Sequence, residues 1–352
     1  MGPNALIEMA LYRSALAALT GLLWQAASIP AWSAPAAPEA VIEAVEAAPS
    51  PGPEKVIVGA YINDIQELDF KANNYVVDLY VWFRWKDREL DPAKTMEFMN
   101  RFASDDNLRE ALYDEPKVMP DGSLYSIIRY QGRFSTKFPL ETYPFDTQHL
   151  RVVMEDTLSA DDRQIYVPDV AGGVNLNPQI TLPGFHVGRP AMSITANAYP
   201  TNFGDLSEPE ATAYSRLTLS LPVTRPIVAM SIKTFVPIFL IVVCATLVFY
   251  VRPRYIEGRI GLGITALLTL VALQLASGSS LPDVDYLMML DKIYILAYLF
   301  IIIALARVVA TSWGSADEHA ELAISRADRR FVVALIALYL VANIAVAWTT
   351  LA

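Results

Sequence analysis

The residues best placed to do chemistry lie in one largely apolar stretch, residues 256–277. At helical spacing, Glu257, Gly261, Thr265 (or Ile264), Leu268, Ala272, Leu275 and Ser279 fall on one stripe. Read along the helix, the stripe runs acidic, small, hydroxyl, large apolar, small, large apolar, hydroxyl. Thr269, Gln274, Ser277 and Ser280 add further polar groups, from which a helix facing only lipid gains nothing. If several copies surround an axis, the stripe becomes a stack of rings. A ring of Glu257 carboxylates would attract cations and repel anions, and rings of Leu268 and Leu275 would make a constriction able to shut by dewetting. The bland alternative is that the hydroxyls only hydrogen-bond between packed helices and that Glu257 is an interfacial charge. Arg259, two residues on, could face the same axis or a neighbouring helix.

A second group of residues could bind a ligand. Tyr80 lies in an alternating stretch, and Tyr199, Phe203 and Tyr214 lie in or beside a loop that also carries Asp205, Glu208 and Glu210. Aromatic faces attract cationic amines. Crowded carboxylates could instead take a divalent cation, or sense protons through raised pKa values. Against this, aromatic residues at alternating strand positions are commonly core, and loop carboxylates are commonly solvated. Glu155, Asp156, Asp161 and Asp162 crowd another segment with hard oxygen ligands suited to calcium, although their spacing is not that of an EF-hand. Enzyme chemistry has little to work with. His149, His186 and His319 are the only histidines, and neither a Gly-rich phosphate loop nor a His/Cys cluster at metal-ligand spacing is present. No cofactor is expected.

The elements that must position these groups follow from composition. The chain has 352 residues, is 54% hydrophobic and carries a net charge of -10, which argues against nucleic acid as a partner. A lone cysteine, Cys244, cannot form an intrachain disulfide and is expected to fill core space. Residues 1–36, with Arg13, an apolar run and then Ala34-Pro35-Ala36-Ala37, read as a signal peptide, with a first membrane helix as the alternative. Residues 37–54, rich in Ala, Pro and Glu, read as a disordered linker. Residues 55–225 hold short alternating stretches separated by turns such as Pro120-Asp121-Gly122, the pattern of an antiparallel sandwich, with one helical insert expected at 92–102.

Residues 226–352 hold four apolar segments, at about 227–251, 256–277, 286–312 and 329–351, each near the ~20 residues that cross a bilayer. Arg252, Arg254 and Arg259 lie between the first and second segments, and Arg326, Arg329 and Arg330 between the third and fourth. Asp283, Asp285 and Asp291 lie between the second and third. The positive-inside rule then puts both basic connections in the cytoplasm and the sandwich outside it.

The stretch from Phe138 to Leu150, with Pro144-Phe145-Asp146-Thr147-Gln148 at its centre, resembles the signature loop of the pentameric ligand-gated ion channels, or Cys-loop receptors. Thr136 and Leu150 stand where animal members have two cysteines, as in the bacterial, cysteine-free branch, which includes a proton-gated channel. Trp85-Lys86-Asp87-Arg88, Arg225 followed by Pro237, and Leu281-Pro282 agree in order and spacing. The resemblance implies a homopentamer around a central pore, a ten-stranded sensor sandwich, ligand sites between adjacent sensors, and four membrane helices with the second lining the pore. It also implies gating through a junction of Asp69 or Glu67, Asp146, Arg225 and Pro282. Asp146 and Arg225 could equally be structural partners that only keep the two parts joined. The acidic position matching the proton-gated member's main sensor falls here on Asn73, whereas Asp64 matches another acidic position there.

The expectation is therefore an all-β sandwich plus a four-helix transmembrane bundle in the bacterial inner membrane. It would form a homopentameric, cation-selective channel opened by protons, divalent cations or small amines acting on a periplasmic domain, with itself, membrane lipid and permeant cations as partners. An anion-selective channel, or a membrane-anchored periplasmic binding protein that conducts nothing, is the alternative.

Overall fold

A computed structural model describes residues 52–102, 107–170, 173–204, 211–312 and 318–351. The expected signal peptide, residues 37–51 of the expected linker, Asp205 and Glu208 lie outside the described residues.

Long strands form where apolar and polar residues alternate, because successive side chains point to opposite faces. β1 (Glu54–Asp69), β2 (Asn74–Trp85), β6 (Leu124–Ser135), β7 (Thr147–Asp156) and β12 (Thr212–Thr224) carry the five alternating stretches. Between them run β3 (Met96–Phe98), β4 (Leu108–Ala111), β5 (Lys117–Val118), β8 (Gln164–Pro168), β9 (Val174–Leu176), β10 (His186–Val187) and β11 (Ala191–Tyr199). One sheet has the order β4-β6-β2-β1-β8, with β5 beside β6 and β9 beside β1. The other has the order β10-β12-β7-β3, with β11 beside β12. The pairing is antiparallel except that β8 and β9 run parallel to β1. The described residues thus form twelve strands, more than the ten expected.

The two sheets enclose one core, in which Trp85, Tyr75, Phe83, Phe134, Leu79 and Ile128 are fully buried. The expected turn at Pro120-Asp121-Gly122 is present. Gly122 has φ +79, and its N–H donates to the Met119 carbonyl at 2.9 Å, a conformation in which a Cβ would be strained. The helical insert expected at 92–102 is corrected. Only α1 (Pro92–Thr95) is helical, and the chain then becomes β3. Met96 and Phe98 alternate into the core on either side of exposed Glu97, and the Phe98 ring lies 4.2 Å from that of Tyr130. Period-two burial there outweighs helix propensity.

Four long helices follow: α2 (Ile227–Thr246, extended by a 3-10 turn at Leu247–Phe249), α3 (Ile256–Gly278), α4 (Met289–Ser312) and α5 (Glu318–Leu351). All four are long and apolar enough to cross a bilayer. α4 begins later than expected, because Tyr286 and Met288 are drawn into contact with the sandwich core. α5 begins earlier, so Arg326, Arg329 and Arg330 sit on its first turns and not in a loop. Cys244 is exposed, contrary to the expectation that it fills the core. The packed stripe of α2 is Ile238, Ile241, Val242 and Ala245.

α3 is pinned along one side. Its buried residues are Arg259, Gly263, Ala266 and Leu270. The Tyr298 hydroxyl donates to Gln274 Oε1 at 2.6 Å, and the Ser277 and Tyr294 hydroxyls share a hydrogen bond at 2.9 Å, tying the far end of the same side to α4. At Gly263 the helices approach so closely that a Cβ would lie 2.3 Å from Leu305 Cδ2 and 2.9 Å from its Cγ. Gly263→Ala should therefore destabilise the α3–α4 contact by about 1–3 kcal/mol, lowering the thermal midpoint of the detergent-solubilised protein. Adding Leu305→Ala should recover much of the loss; a single variant as stable as the parent would show that the contact relaxes freely.

Candidate functional site

The stripe Glu257, Gly261, Thr265, Leu268, Ala272, Leu275 and Ser279 lies wholly on the exposed side of α3. At about 100° per residue its mean direction is roughly 180° from that of the buried residues. Leu268 is 63% and Leu275 72% exposed. The Thr265 and Thr269 hydroxyls donate to the carbonyls one turn back, of Gly261 and Thr265, at 2.8 Å each. Their side chains therefore present oxygen lone pairs outward rather than bonding a neighbouring helix of the same chain.

Arg259, whose direction the sequence left open, turns the other way. It is 1% exposed. Its Nε donates to the Val248 carbonyl at 2.9 Å, and its guanidinium reaches Asp328 of α5 at 2.5 Å. Asp328 also accepts from Arg307 Nε at 3.2 Å. Among the described residues of α3, Glu257 is thus the only charged side chain on the exposed face. Asp328 escaped the sequence reading, although a lone carboxylate among Arg326, Arg329 and Arg330 at the start of an apolar helix calls for a buried partner.

Between sandwich and bundle the signature loop, 137–148, acts as a plug. Leu140 is buried in the sandwich core, whereas Phe145 packs on Phe235 of α2 with ring centroids 5.8 Å apart. The Tyr143–Pro144 peptide is cis. The Leu140 N–H donates to the Tyr286 hydroxyl at 2.9 Å, and the Met289 N–H donates to the Glu141 carbonyl at 2.9 Å. Desolvation pushes the Tyr286 phenol above its ordinary pKa. Lys71, in the β1–β2 turn, donates to the Ser279 carbonyl at 3.2 Å, beside the end of α3. Pro282 is half-buried next to Leu281, which packs into the sandwich core.

Asp146 and Arg225 meet at the centre of this junction. Arg225 Nε donates to Asp146 Oδ1 at 2.8 Å, and Gln148 donates to Oδ2 at 2.6 Å. The Arg225 guanidinium also lies over the rings of Phe70, Tyr143 and Phe185, at 4.4, 4.9 and 4.8 Å, a cation–π enclosure that no motif in the sequence announced. The expected third member is absent. Asp69 accepts from the Ala72 N–H and caps its own turn, and Glu67 pairs with Arg133 at 2.6 Å. Strand β2 and its partner β6 hold Glu67 toward Arg133, so neither carboxylate reaches Arg225.

In the sandwich, Tyr199, Phe203 and Tyr214 come together, with the Phe203 and Tyr214 rings 5.4 and 5.8 Å from that of Tyr199. The Tyr199 hydroxyl donates to Glu155 at 2.7 Å, and Arg216 bonds both Glu155 and that hydroxyl. Burial and the Glu155 carboxylate push the Tyr199 phenol above its ordinary pKa. Tyr80 is elsewhere, on the opposite sheet, beneath the Arg129 guanidinium at 5.6 Å. The divalent-metal grouping is corrected. Glu155 is committed to Arg216 and Tyr199, whereas Asp156 accepts from Thr95, from the N–H groups of Leu158 and Ser159, and from Gln164. Asp161 and Asp162 sit in the following turn, and no three-ligand group exists among the described residues. The four bonds accepted by Asp156 use its lone pairs, and the Glu155 charge is already paired with Arg216.

No protein-family model matches the chain. Among curated proteins it is similar to a proton-gated ion channel of Gloeobacter violaceus, 26% identical over 312 residues, covering 84% of this chain and 83% of that protein. It is also similar to a gamma-aminobutyric acid receptor subunit beta of Lymnaea stagnalis, 29% identical over 203 residues, covering 56% of this chain. A third relative is pH-sensitive chloride channel 2 of Anopheles gambiae, 24% identical over 262 residues, covering 67% of this chain. The matched regions cover only 39% and 42% of those two animal proteins.

Two measurements test this geometry. Asp146→Ala leaves the enclosed Arg225 without its carboxylate and should cost about 3–5 kcal/mol, seen as a lower thermal midpoint of the purified protein; an unchanged midpoint would mean that the aromatic rings alone suffice. The second concerns Asp78 on β2. Burial opposes its ionisation, but hydrogen bonds from Arg129 and Asn63 outweigh that and hold its carboxyl below the ordinary range. A depressed folded pKa adds stability that is complete above the unfolded value and lost as pH falls through the folded one. The stability difference between the parent and Asp78→Asn should thus stay constant from about pH 5 to 8 and shrink only below about pH 4, in thermal melts across pH.

Proposed function

We propose that this chain, a member of the pentameric ligand-gated ion channel family and not an enzyme, is the subunit of a homopentameric cation channel whose pore is lined by the exposed face of α3. The observation that carries the reading is the division of charge on α3, with Glu257 outward and Arg259 buried. Copies arranged around an axis would cover the exposed stripe and turn it into rings. The Glu257 ring would concentrate cations at one mouth, and the Leu268 and Leu275 rings would close the path by dewetting. The chain is a multi-pass membrane protein. We assign it to a bacterial inner membrane with the sandwich in the periplasm, a placement supported by Arg252, Arg254, Arg326, Arg329 and Arg330 on the opposite side.

Gating in this reading starts in the sandwich and passes through the Asp146–Arg225 junction to the α3–α4 connection. Tyr199, Phe203 and Tyr214 form the aromatic part of the agonist region, with Tyr80 of a neighbouring copy as the complementary candidate. Protons are the agonist we favour, because two of the relatives are named as a proton-gated channel and a pH-sensitive channel. Asp78 is unsuited as the sensor, since its carboxyl is held below the range of mild acid. The chloride selectivity named for one relative makes an anion channel the second reading.

Purified protein in planar bilayers, exposed to steps of acid pH, should give currents whose reversal follows the potassium gradient. Glu257→Ala should shift the reversal potential toward that of chloride, and Leu268→Ala should leave the pore partly open at neutral pH by weakening the dewetting barrier. Parent currents that reverse at the chloride potential would overturn the cation assignment.

A further inference from the structure

The buried cluster of Arg259, Asp328 and Arg307 belongs neither to the outward stripe nor to the junction. Asp328 is 0% exposed and sits between the two guanidinium groups, at 2.5 Å from Arg259 and 3.2 Å from Arg307. Arg307 also lies over the Phe331 ring at 5.4 Å. Through the Val248 carbonyl, Arg259 ties the 3-10 turn after α2 to α3, and through Asp328 it ties α3 to α5. The cluster therefore ties the charged end of α3 to three other elements, the 3-10 turn through Arg259 itself and α4 and α5 through Asp328.

Arg259 follows Glu257 by two residues, about 200° around the helix. The carboxylate can face out only while the guanidinium faces in. A guanidinium in an apolar bundle end is tolerated when paired, and when unpaired it seeks the nearest water. In the proposed channel the water-filled mouth ringed by Glu257 lies at this same end of α3. Even without movement, neutralising Asp328 leaves each subunit one positive charge richer at the end of α3 that carries that mouth.

We infer that Asp328 is a positioning residue for ion selectivity: by pairing Arg259 inside the bundle it keeps a positive charge away from the mouth, so that Glu257 alone sets the sign of the permeant ion. The inference rests on the pore reading above.

The test uses the full-length protein reconstituted in planar bilayers under a potassium chloride gradient. The reversal potential is the readout because it does not depend on how many channels assemble. Asp328→Asn should shift it toward the chloride potential, and Asp328→Asn with Arg259→Gln should return it to the parent value. An Asp328→Asn channel that reverses like the parent overturns the inference, as does a shift that persists in the double variant. If Asp328→Asn does not assemble, Arg259→Gln alone decides: the inference requires reversal at or beyond the parent's cation preference, and movement toward chloride overturns it. A parent that already follows chloride ends the cation assignment separately, while the coupling is still read from whether Arg259→Gln cancels the effect of Asp328→Asn.

Discussion

A guanidinium group removed from water must take a carboxylate with it, and the architecture of this protein turns on two places where that happens. At the junction, Arg225 is 10% exposed and Asp146 1% exposed by side chain. In the bundle, Arg259 and Asp328 are 2% and 1% exposed by side chain. Desolvating each charge costs several kcal/mol, which is recovered only with good geometry and additional hydrogen bonds. Both sites have those additions: Gln148 on Asp146, the Val248 carbonyl on Arg259 and Arg307 on Asp328. The directional demand of these bonds orients the chain. The first holds Arg225, two residues before α2, against the signature loop, and the second sets which way α3 faces.

Once α3 faces as it does, its two sides divide by what its neighbours occupy. Gly263 gives up its side chain so that Leu305 can approach, and Gln274 and Ser277 spend their polar groups on Tyr298 and Tyr294. What remains on the other side is a column of small, hydroxyl and leucine residues with one carboxylate at its end. In a lone chain that column is an exposed surface, and in the proposed channel it would face the pore.

The junction is held in a different way. The cores of sandwich and bundle interpenetrate there: Leu281 and Met288 pack into the first, while Tyr143 and Phe145 pack against the second. Backbone bonds from Leu140 and Met289 add directional contacts. A shift of the sandwich cannot leave the α3–α4 connection unmoved without breaking close packing, which is how small displacements become discrete rearrangements.

The long strands, the four helices and the stripe on α3 were legible in the sequence because each depends on local periodicity, and the signature loop was legible through its resemblance to a known motif. Period two marks a half-buried strand and period 3.6 a helix face, and both are written in neighbouring residues. Tertiary structure decided how charges paired. Asp69 and Glu67 looked as available to Arg225 as Asp146 did, until strand register committed Glu67 to Arg133 and a turn committed Asp69 to Ala72. Glu155 and Asp156 looked like metal ligands until Arg216, Tyr199 and Thr95 occupied them. Arg259 was ambiguous until Asp328, 69 residues away along the chain, proved to be its partner. A long charged side chain can reach in several directions from its backbone, and its energy depends on a counter-charge that only the folded chain brings near.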